Sequence, residues 1–287
     1  MSTSVEIAQK DKRWFITGAS SGFGRLMTEY LLSVGAKVVA TARKLETIED
    51  LTTRHPGKAV ALELDVTKQH SIDKAVTDAL ARVGQIDVLV NNAGYGVAGA
   101  VEEVSDTEYM PMFDTNVFGL INVTKALLPQ FRARRSGAIV NFSSIGGLIG
   151  SPGWGYYNAT KFAVEGLSEA LAAELEPMGV HVMVVEPGPF RTDFLGRSGM
   201  EAKQHILDYE PTAGKTREYF NTQAGKQPGD PKRAVEAVVA AVSDPNPPKH
   251  LLLGKIALSR FRKRLEDWNA ELDRWQAITE GADFPAA

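Results

Sequence analysis

Thr17-Gly18-Ala19-Ser20-Ser21-Gly22-Phe23-Gly24 decides how this 287-residue chain folds. The run Trp14-Phe15-Ile16-Thr17 leads into it and reads as a strand. Phe23, Leu26, Met27, Tyr30, Leu31 and Val34 leave it at helical spacing, and Gly35 closes that helix. A glycine-rich turn between a strand and an amphipathic helix seats a dinucleotide pyrophosphate on the helix N-terminus. Gly18 lets the chain turn sharply, Gly22 lets backbone approach phosphate, and Gly24 lets the helix pack on the strand. Cofactor contacts are therefore expected from Gly18, Ser20, Ser21, Gly22, Phe23 and Gly24.

The same alternation continues outward. Apolar or β-branched runs at 37–41, 59–64, 86–90, 138–142 and 180–185 read as strands, several apolar enough to be buried on both faces. Helical stretches near 71–83, 106–131 and 154–176 separate them. This rhythm predicts an α/β, Rossmann-type, doubly wound parallel sheet of about seven strands with right-handed crossovers. After Pro187 the rhythm changes. Residues 193–230 show no clear strand, Pro231 opens a helix to about 242, 251–253 reads as a last strand, and 256–278 as a charged terminal helix. The whole chain, 1–287, reads as one domain. Residues 193–230 are expected to form a substrate lid, the other reading being a surface loop. In the lid reading Phe194, Leu195, Met200, Ile206 and Leu207 form the underside, while Glu201, Lys203 and Asp208 face water.

Composition narrows the function. With 44% hydrophobic and 23% charged residues the chain can bury a full core, and a net charge of −3 disfavours nucleic acid as a partner. The absence of cysteine excludes disulfides and thiolate chemistry and fits a reducing, cytoplasmic setting. The N-terminus lacks the apolar core of a secretion leader, and no uncharged apolar run approaches the roughly 20 residues of a membrane span. His55, His70, His181, His205 and His250 show no metal spacing, so no metal site is expected.

The second strand ends Ala40-Thr41-Ala42-Arg43. A carboxylate there would bind ribose hydroxyls and repel a 2′-phosphate, whereas Ala42 is neutral and Arg43 offers a planar fork for phosphate. NADP(H) is expected over NAD(H), with a solvated Arg43 as the other reading. Asp65 after the third strand is positioned either for the adenine amino group or to cap a helix.

Tyr157-Asn158-Ala159-Thr160-Lys161 puts a phenol and an ammonium one helical turn apart on one face. A free phenol has a pKa near 10, too high for a proton shuttle at neutral pH, and a neighbouring cation lowers it. Ser143-Ser144 ends a buried strand just upstream and offers a hydroxyl to a substrate oxygen. Beside a nicotinamide this set makes an alcohol–carbonyl redox centre.

With these motifs in order, the chain from about Arg13 to Thr192 resembles the short-chain dehydrogenase/reductase family. The residues carrying the resemblance are Thr17-Gly18-xxx-Gly22-x-Gly24, Asn91-Asn92-Ala93-Gly94, Asn116, Ser144, Tyr157-xxx-Lys161 and Pro187-Gly188-xxx-Thr192. The resemblance implies Tyr157 as general acid/base and Ser144 as the group polarising the substrate oxygen. It implies that Lys161 holds the nicotinamide ribose and lowers the tyrosine pKa, and that Asn116 anchors a proton-relay water. Asp65, Val66, Asn92, Ala93, Gly94, Pro187, Gly188, Phe190 and Thr192 join Tyr157 and Lys161 as implied cofactor contacts. The family's thirteen-residue gap selects Ser144 over Ser143, and only Tyr157, not Tyr156, stands four before a lysine. Thr-Gly-Ala-Ser-Ser-Gly with Thr-Ala-Arg resembles the NADPH-linked hydroxysteroid- and retinol-dehydrogenase-like branch.

Apolar pocket residues are expected from Tyr95, Gly96 and Val97, from 145–149, and from Trp154 and Phe190, which favours a hydrophobic ketone, aldehyde or alcohol. A catalytically idle NADP-binding regulator on this scaffold would lose the tyrosine or the lysine, and both are present. A homodimer or homotetramer is expected through helices near 106–131 and 154–176. The apolar breadth of the second (Phe162, Ala163, Leu167, Ala170, Leu171) fits either that or the chain's own sheet.

Overall fold

The computed structural model describes residues 8–196 and 199–284. Seven parallel strands lie in the order β3-β2-β1-β4-β6-β7-β9: β1 (Arg13–Ile16), β2 (Lys37–Ala42), β3 (Ala59–Glu63), β4 (Val88–Asn91), β6 (Gly137–Phe142), β7 (Val180–Pro187) and β9 (His250–Leu253). The order runs outward from β1 and then reverses, so a crevice opens between the carboxyl ends of β1 and β4.

Strand alternation sends neighbouring residues into separate cores. Trp14 and Ile16 meet Met27 and Leu31 of α1 (Gly22–Ser33), Leu51 of α2 (Glu49–Arg54), and Val235 and Val239 of α8 (Pro231–Ser243). Phe15, between them, faces the opposite layer. There it joins Ile72 of α3 (Gln69–Val83), Phe131 of α5 (Leu120–Arg134) and Leu175 of α6 (Gly155–Leu175). Strands covered on both sides read as continuous apolar runs for this reason.

Three local features depart from the sequence reading. The stretch 106–131 is not one regular helix: α4 (Asp106–Phe113) passes through a wide π-type turn, Asp114–Gly119, before α5 begins. Pro111 removes a helical donor, and the Asn116 side chain is held elsewhere. Second, 193–230 contains a strand, β8 (Gly199–Glu201), paired in parallel with β5 (Gly96–Ala98) as a separate two-stranded sheet. Third, Leu207 is 86% exposed and forms no part of an apolar underside. The same segment contains α7 (Lys215–Gln223). The terminal helix α9 spans Lys255–Glu280 and buries only Ala257. No described helix is long and apolar enough to cross a membrane.

Phe131 is fully buried, and a Cβ on Gly137 would lie 2.3 Å from its ring. Phe131→Ala should cost about 3–5 kcal/mol in urea unfolding. A loss under about 1 kcal/mol would mean that α5 does not hold this layer.

Candidate active site

One cleft of about 1160 Å³ runs along the carboxyl edge of the sheet. Its nucleotide end is built from the β1–α1 turn. Gly22 has φ +54°, a left-handed conformation that disfavours other residues, and a Cβ there would meet only Thr192, at 3.9 Å. The backbone is therefore open to a phosphate at the positive end of α1. Gly24 is needed for a different reason: its Cβ would lie 2.4 Å from the Gly18 carbonyl. Ser20, Ser21, Phe23, Ala93, Gly94, Pro187, Gly188, Phe190 and Thr192 line the same cleft. These features fit the residues to a dinucleotide.

Asn92 lines the cleft but spends its side chain on the turn. Its Nδ2 donates to the carbonyls of Thr17 (2.9 Å) and Gly18 (3.1 Å). Thr17 Oγ1 accepts from the backbone N–H groups of Asn92 and Ala93. Arg43 lines the cleft, is exposed, and makes no hydrogen bond or ion pair among the described residues. The Asp65 carboxylate accepts from Thr67 N (3.0 Å) and Oγ1 (2.7 Å) through Oδ1, and Leu64 and Val66 form the cleft wall there. Asp65 is not the helix cap, because the residue before α3 is Lys68.

At the chemical end the first turns of α6 bring Tyr157 and Lys161 under the end of β6. Tyr157 packs edge-on to Trp154, with ring centroids 5.4 Å apart. Burial pushes its phenol up to about 12, and a hydrogen bond from Ser144 opposes that rise. Lys161 Nζ donates to the Phe142 carbonyl (2.7 Å) and lies 5.8 Å from the Tyr157 ring centre. Burial lowers the ammonium to about 8, against the attraction of Glu165. Ser144 Oγ also accepts from Gly146 N at 3.0 Å. Tyr156 points elsewhere and stacks on Tyr109 at 4.1 Å.

Asn116 is buried behind the cleft wall. Its Oδ1 accepts from Tyr95 N (3.0 Å), and its Nδ2 donates to Tyr95 O (2.8 Å) and Thr160 Oγ1 (3.1 Å). It thus ties the loop after β4 to the helix carrying Tyr157. Of the expected pocket residues, Tyr95, Ile145, Gly146, Trp154 and Phe190 line the cleft. Gly96, Val97 and 147–149 are set back from it, and Val97 packs with Val104 and Met112.

The segment after Thr192 covers this end. Phe194 lies 5.4 Å from the Tyr157 ring and 6.0 Å from Trp154. A buried ion pair pins the segment: Arg217 Nη1 donates to Glu103 Oε2 (2.7 Å), and Glu103 also accepts from Ala100 N and Ile206 N. Residues 114 positions apart make this bond, so no local pattern announces it. Ile256 and Arg260 from the first turns of α9 complete the mouth and were equally invisible in sequence.

Behind Lys161 lies a group that histidine spacing did not reveal. Glu165 on α6, Glu186 on β7 and His250 on β9 bring one ligand atom each within 4.8 Å of one another. His250 Nδ1 and Glu186 Oε1 are 2.7 Å apart. Among the described residues both Glu165 oxygens and Glu186 Oε2 are buried with no partner in full hydrogen-bond geometry, although the Ser143 hydroxyl lies close enough to favour the Glu165 carboxylate. Burial raises Glu165 to about 7 and Glu186 to about 8.

The family pattern described as short chain dehydrogenase matches residues 12–202. A 3-ketodihydrosphingosine reductase from Bacteroides thetaiotaomicron is 38% identical over 249 residues, covering 86% of this chain and 90% of that one. Human retinol dehydrogenase 8 is 36% identical over 252 residues, covering 81% and 78%. A short-chain dehydrogenase structure from Streptomyces avermitilis superposes with a TM-score of 0.90 at 42% identity, covering 96% of this chain and all of that one. A Burkholderia phymatum short-chain dehydrogenase/reductase in complex with NAD gives 0.81 at 25% identity, covering 92% and 96%. The chain belongs to the short-chain dehydrogenase/reductase family of oxidoreductases, whose Burkholderia member was solved in complex with NAD.

The raised carboxyls predict a pH effect on stability. Both groups hold protons in the folded state that an unfolded carboxyl releases near 4.5. Their contribution is therefore full below that value and is lost as pH rises through about 7 and about 8. Melting temperature should fall from pH 6 to pH 9, and Glu186→Gln should flatten that fall. An unchanged slope in the variant would show that Glu186 is not protonated in the folded protein.

Proposed function

We propose that this protein is an NADP(H)-dependent oxidoreductase interconverting a hydrophobic secondary alcohol with its ketone, or a primary alcohol with its aldehyde. The observation carrying this reading is the convergence of Tyr157, Ser144 and Lys161 on the cleft that the glycine-rich turn opens. Bound in that cleft, NADP(H) supplies or accepts the hydride. Tyr157 gives its proton to the substrate oxygen in reduction and takes it back in oxidation. Ser144 orients that oxygen. Lys161 holds the ribose hydroxyls and favours the phenolate by its charge. Asn116 anchors the relay that restores the tyrosine proton. A screen of apolar carbonyls and alcohols, following NADPH absorbance, tests the reading as a whole, and inertness toward every member would count against it.

Cofactor choice rests on the end of β2, where Arg43, unpaired among the described residues, suits a 2′-phosphate and Ala42 offers no carboxylate to repel one. The Burkholderia relative in complex with NAD makes this a residue-level question rather than a family-level one. Substrate class rests on Trp154, Phe194, Leu195, Met200 and Ile256 in the lining. The names of the sphingoid-base reductase and the retinol dehydrogenase point the same way. The segment 193–230 acts as a lid, closing on substrate and excluding water from the hydride path. The working form is a cytoplasmic homodimer or homotetramer. Met110, Phe118 and Phe162 stay exposed on the outer faces of α4–α6, although Leu171 is taken up by the chain's own core.

Tyr157→Phe should lower turnover by about 10²–10⁴-fold with NADPH affinity nearly unchanged, as removal of a positioned proton requires. Retention of more than roughly a tenth of wild-type activity would remove Tyr157 from the proton-transfer role. Lys161→Ala should damage both turnover and cofactor binding.

Arg43→Ala should weaken NADPH by about 10–150-fold and NADH far less, and adding Ala42→Asp should favour NADH further. Equal losses for the two cofactors would assign Arg43 a structural role.

Phe194→Ser should raise KM for apolar substrates while sparing cofactor affinity. If the substrate profile does not move, the segment is surface covering and not a lid.

A further inference from the structure

The terminal helix α9 has an apolar stripe that the other described residues leave largely uncovered. It is 26 residues long, about 39 Å. Every described residue from 262 onward is exposed. Leu258, Phe261, Leu265, Trp268, Leu272 and Trp275 recur at alternating steps of three and four, the seam of a two-stranded coiled coil. Trp268 and Trp275 stand 51% and 46% exposed. A lone helix with a strict seven-residue repeat and two half-exposed indoles is built to pack against another helix.

We propose that the occupant is α9 of a second copy of this chain, laid antiparallel. Charge carries the choice. From 255 to 264 the helix has five bases (Lys255, Arg260, Arg262, Lys263, Arg264) and no acid. From 265 to 280 it has five acids and one base, Arg274. Antiparallel pairing sets each half against its opposite, whereas parallel pairing sets like on like. The seam fixes the register. Leu258 meets Trp275, Phe261 meets Leu272, and Leu265 meets Trp268, each contact occurring twice about the two-fold axis.

In that register Arg264 flanks Glu271 of the second copy, again twice. In the parallel arrangement Arg264 would face Asn269 and Glu271 would face Gln276, with no ion pair at either place. In the single chain Arg264 stacks on Trp268, 4.8 Å from its ring, and forms no ion pair among the described residues. Within the helix the lysine-to-acid ion pairs are those of Lys263 with Glu266 and Asp267, which leave Glu271 unused. A lipid surface fits less well, since an interfacial helix carries bases along its whole polar face. The interface lies apart from the outer faces of α4–α6 and adds to any contact made there. It also brings residues near 280 of one copy toward 253–256 of the other, where Ile256 lines the cleft mouth.

Light scattering and sedimentation of the full chain at 10–100 micromolar should give a mass that halves in Leu265→Glu/Leu272→Glu. Both positions are exposed, so the melting temperature of the body should hold. Arg264→Glu should raise the dissociation constant roughly tenfold or more. Arg264→Glu/Glu271→Arg, which exchanges the partners, should restore wild-type association. Because the chain has no cysteine, Arg264→Cys/Glu271→Cys should oxidise to a covalent dimer, the two sites being too distant within one helix to bridge. An unchanged mass in the Glu variant, or no rescue by the exchanged pair, would overturn the proposal. So would a wild-type monomer whose α9 instead carries it onto phosphatidylglycerol vesicles in flotation.

Discussion

The hydrogen bond from Lys161 Nζ to the Phe142 carbonyl, 2.7 Å long and buried, is the constraint on which the site depends. It fastens the second turn of α6 to the last residue of β6. Ser144 lies two residues beyond that carbonyl and Tyr157 one turn before the lysine, so one bond sets the position of both hydroxyls. Asn116 reinforces the arrangement from behind by joining Tyr95 to Thr160 on the same helix. Sheet order does the rest, because the reversal between β1 and β4 leaves the crevice at the edge where these residues emerge.

Burial is what makes the pair chemically unusual. It raises the phenol and lowers the ammonium, so their ordinary values move apart to about 12 and about 8. A phenol held so firmly protonated is a competent donor to a developing alkoxide but a poor base until a positive charge arrives beside it. Glu165 sits one turn further along α6 and, when ionised, favours the lysine's charge; its own burial raises it to about 7, so the carboxylate is only partly populated at neutrality. The cleft, the lysine and the carboxyl cluster behind it form one electrostatic unit.

Long-range order in the sheet was legible in sequence because strands covered on both faces must be apolar throughout. The glycine-rich turn and the Tyr157–Lys161 spacing were legible because each motif states its own geometry. Other features were not. β5 and β8 are three-residue strands, Gly-Val-Ala and Gly-Met-Glu, too short to show alternation. The Glu103–Arg217 pair joins distant segments, and the Glu165–Glu186–His250 cluster draws on one helix and two strands. Leu207 shows the opposite failure, an apolar residue expected on the underside of the lid that the fold leaves outside. The terminal helix read simply as charged, because its acids and bases balance and mask the heptad beneath them.

The account turns on a buried phenol that becomes a base only when a cationic ring binds next to it. An ultraviolet difference titration at the phenolate band, wild type minus Tyr157→Phe, measures that directly. Without cofactor Tyr157 should resist ionisation to about 12. With saturating NADP⁺ its midpoint should fall by about 1–3 units, as a neighbouring positive charge requires. A midpoint that stays in place when NADP⁺ binds would contradict the account.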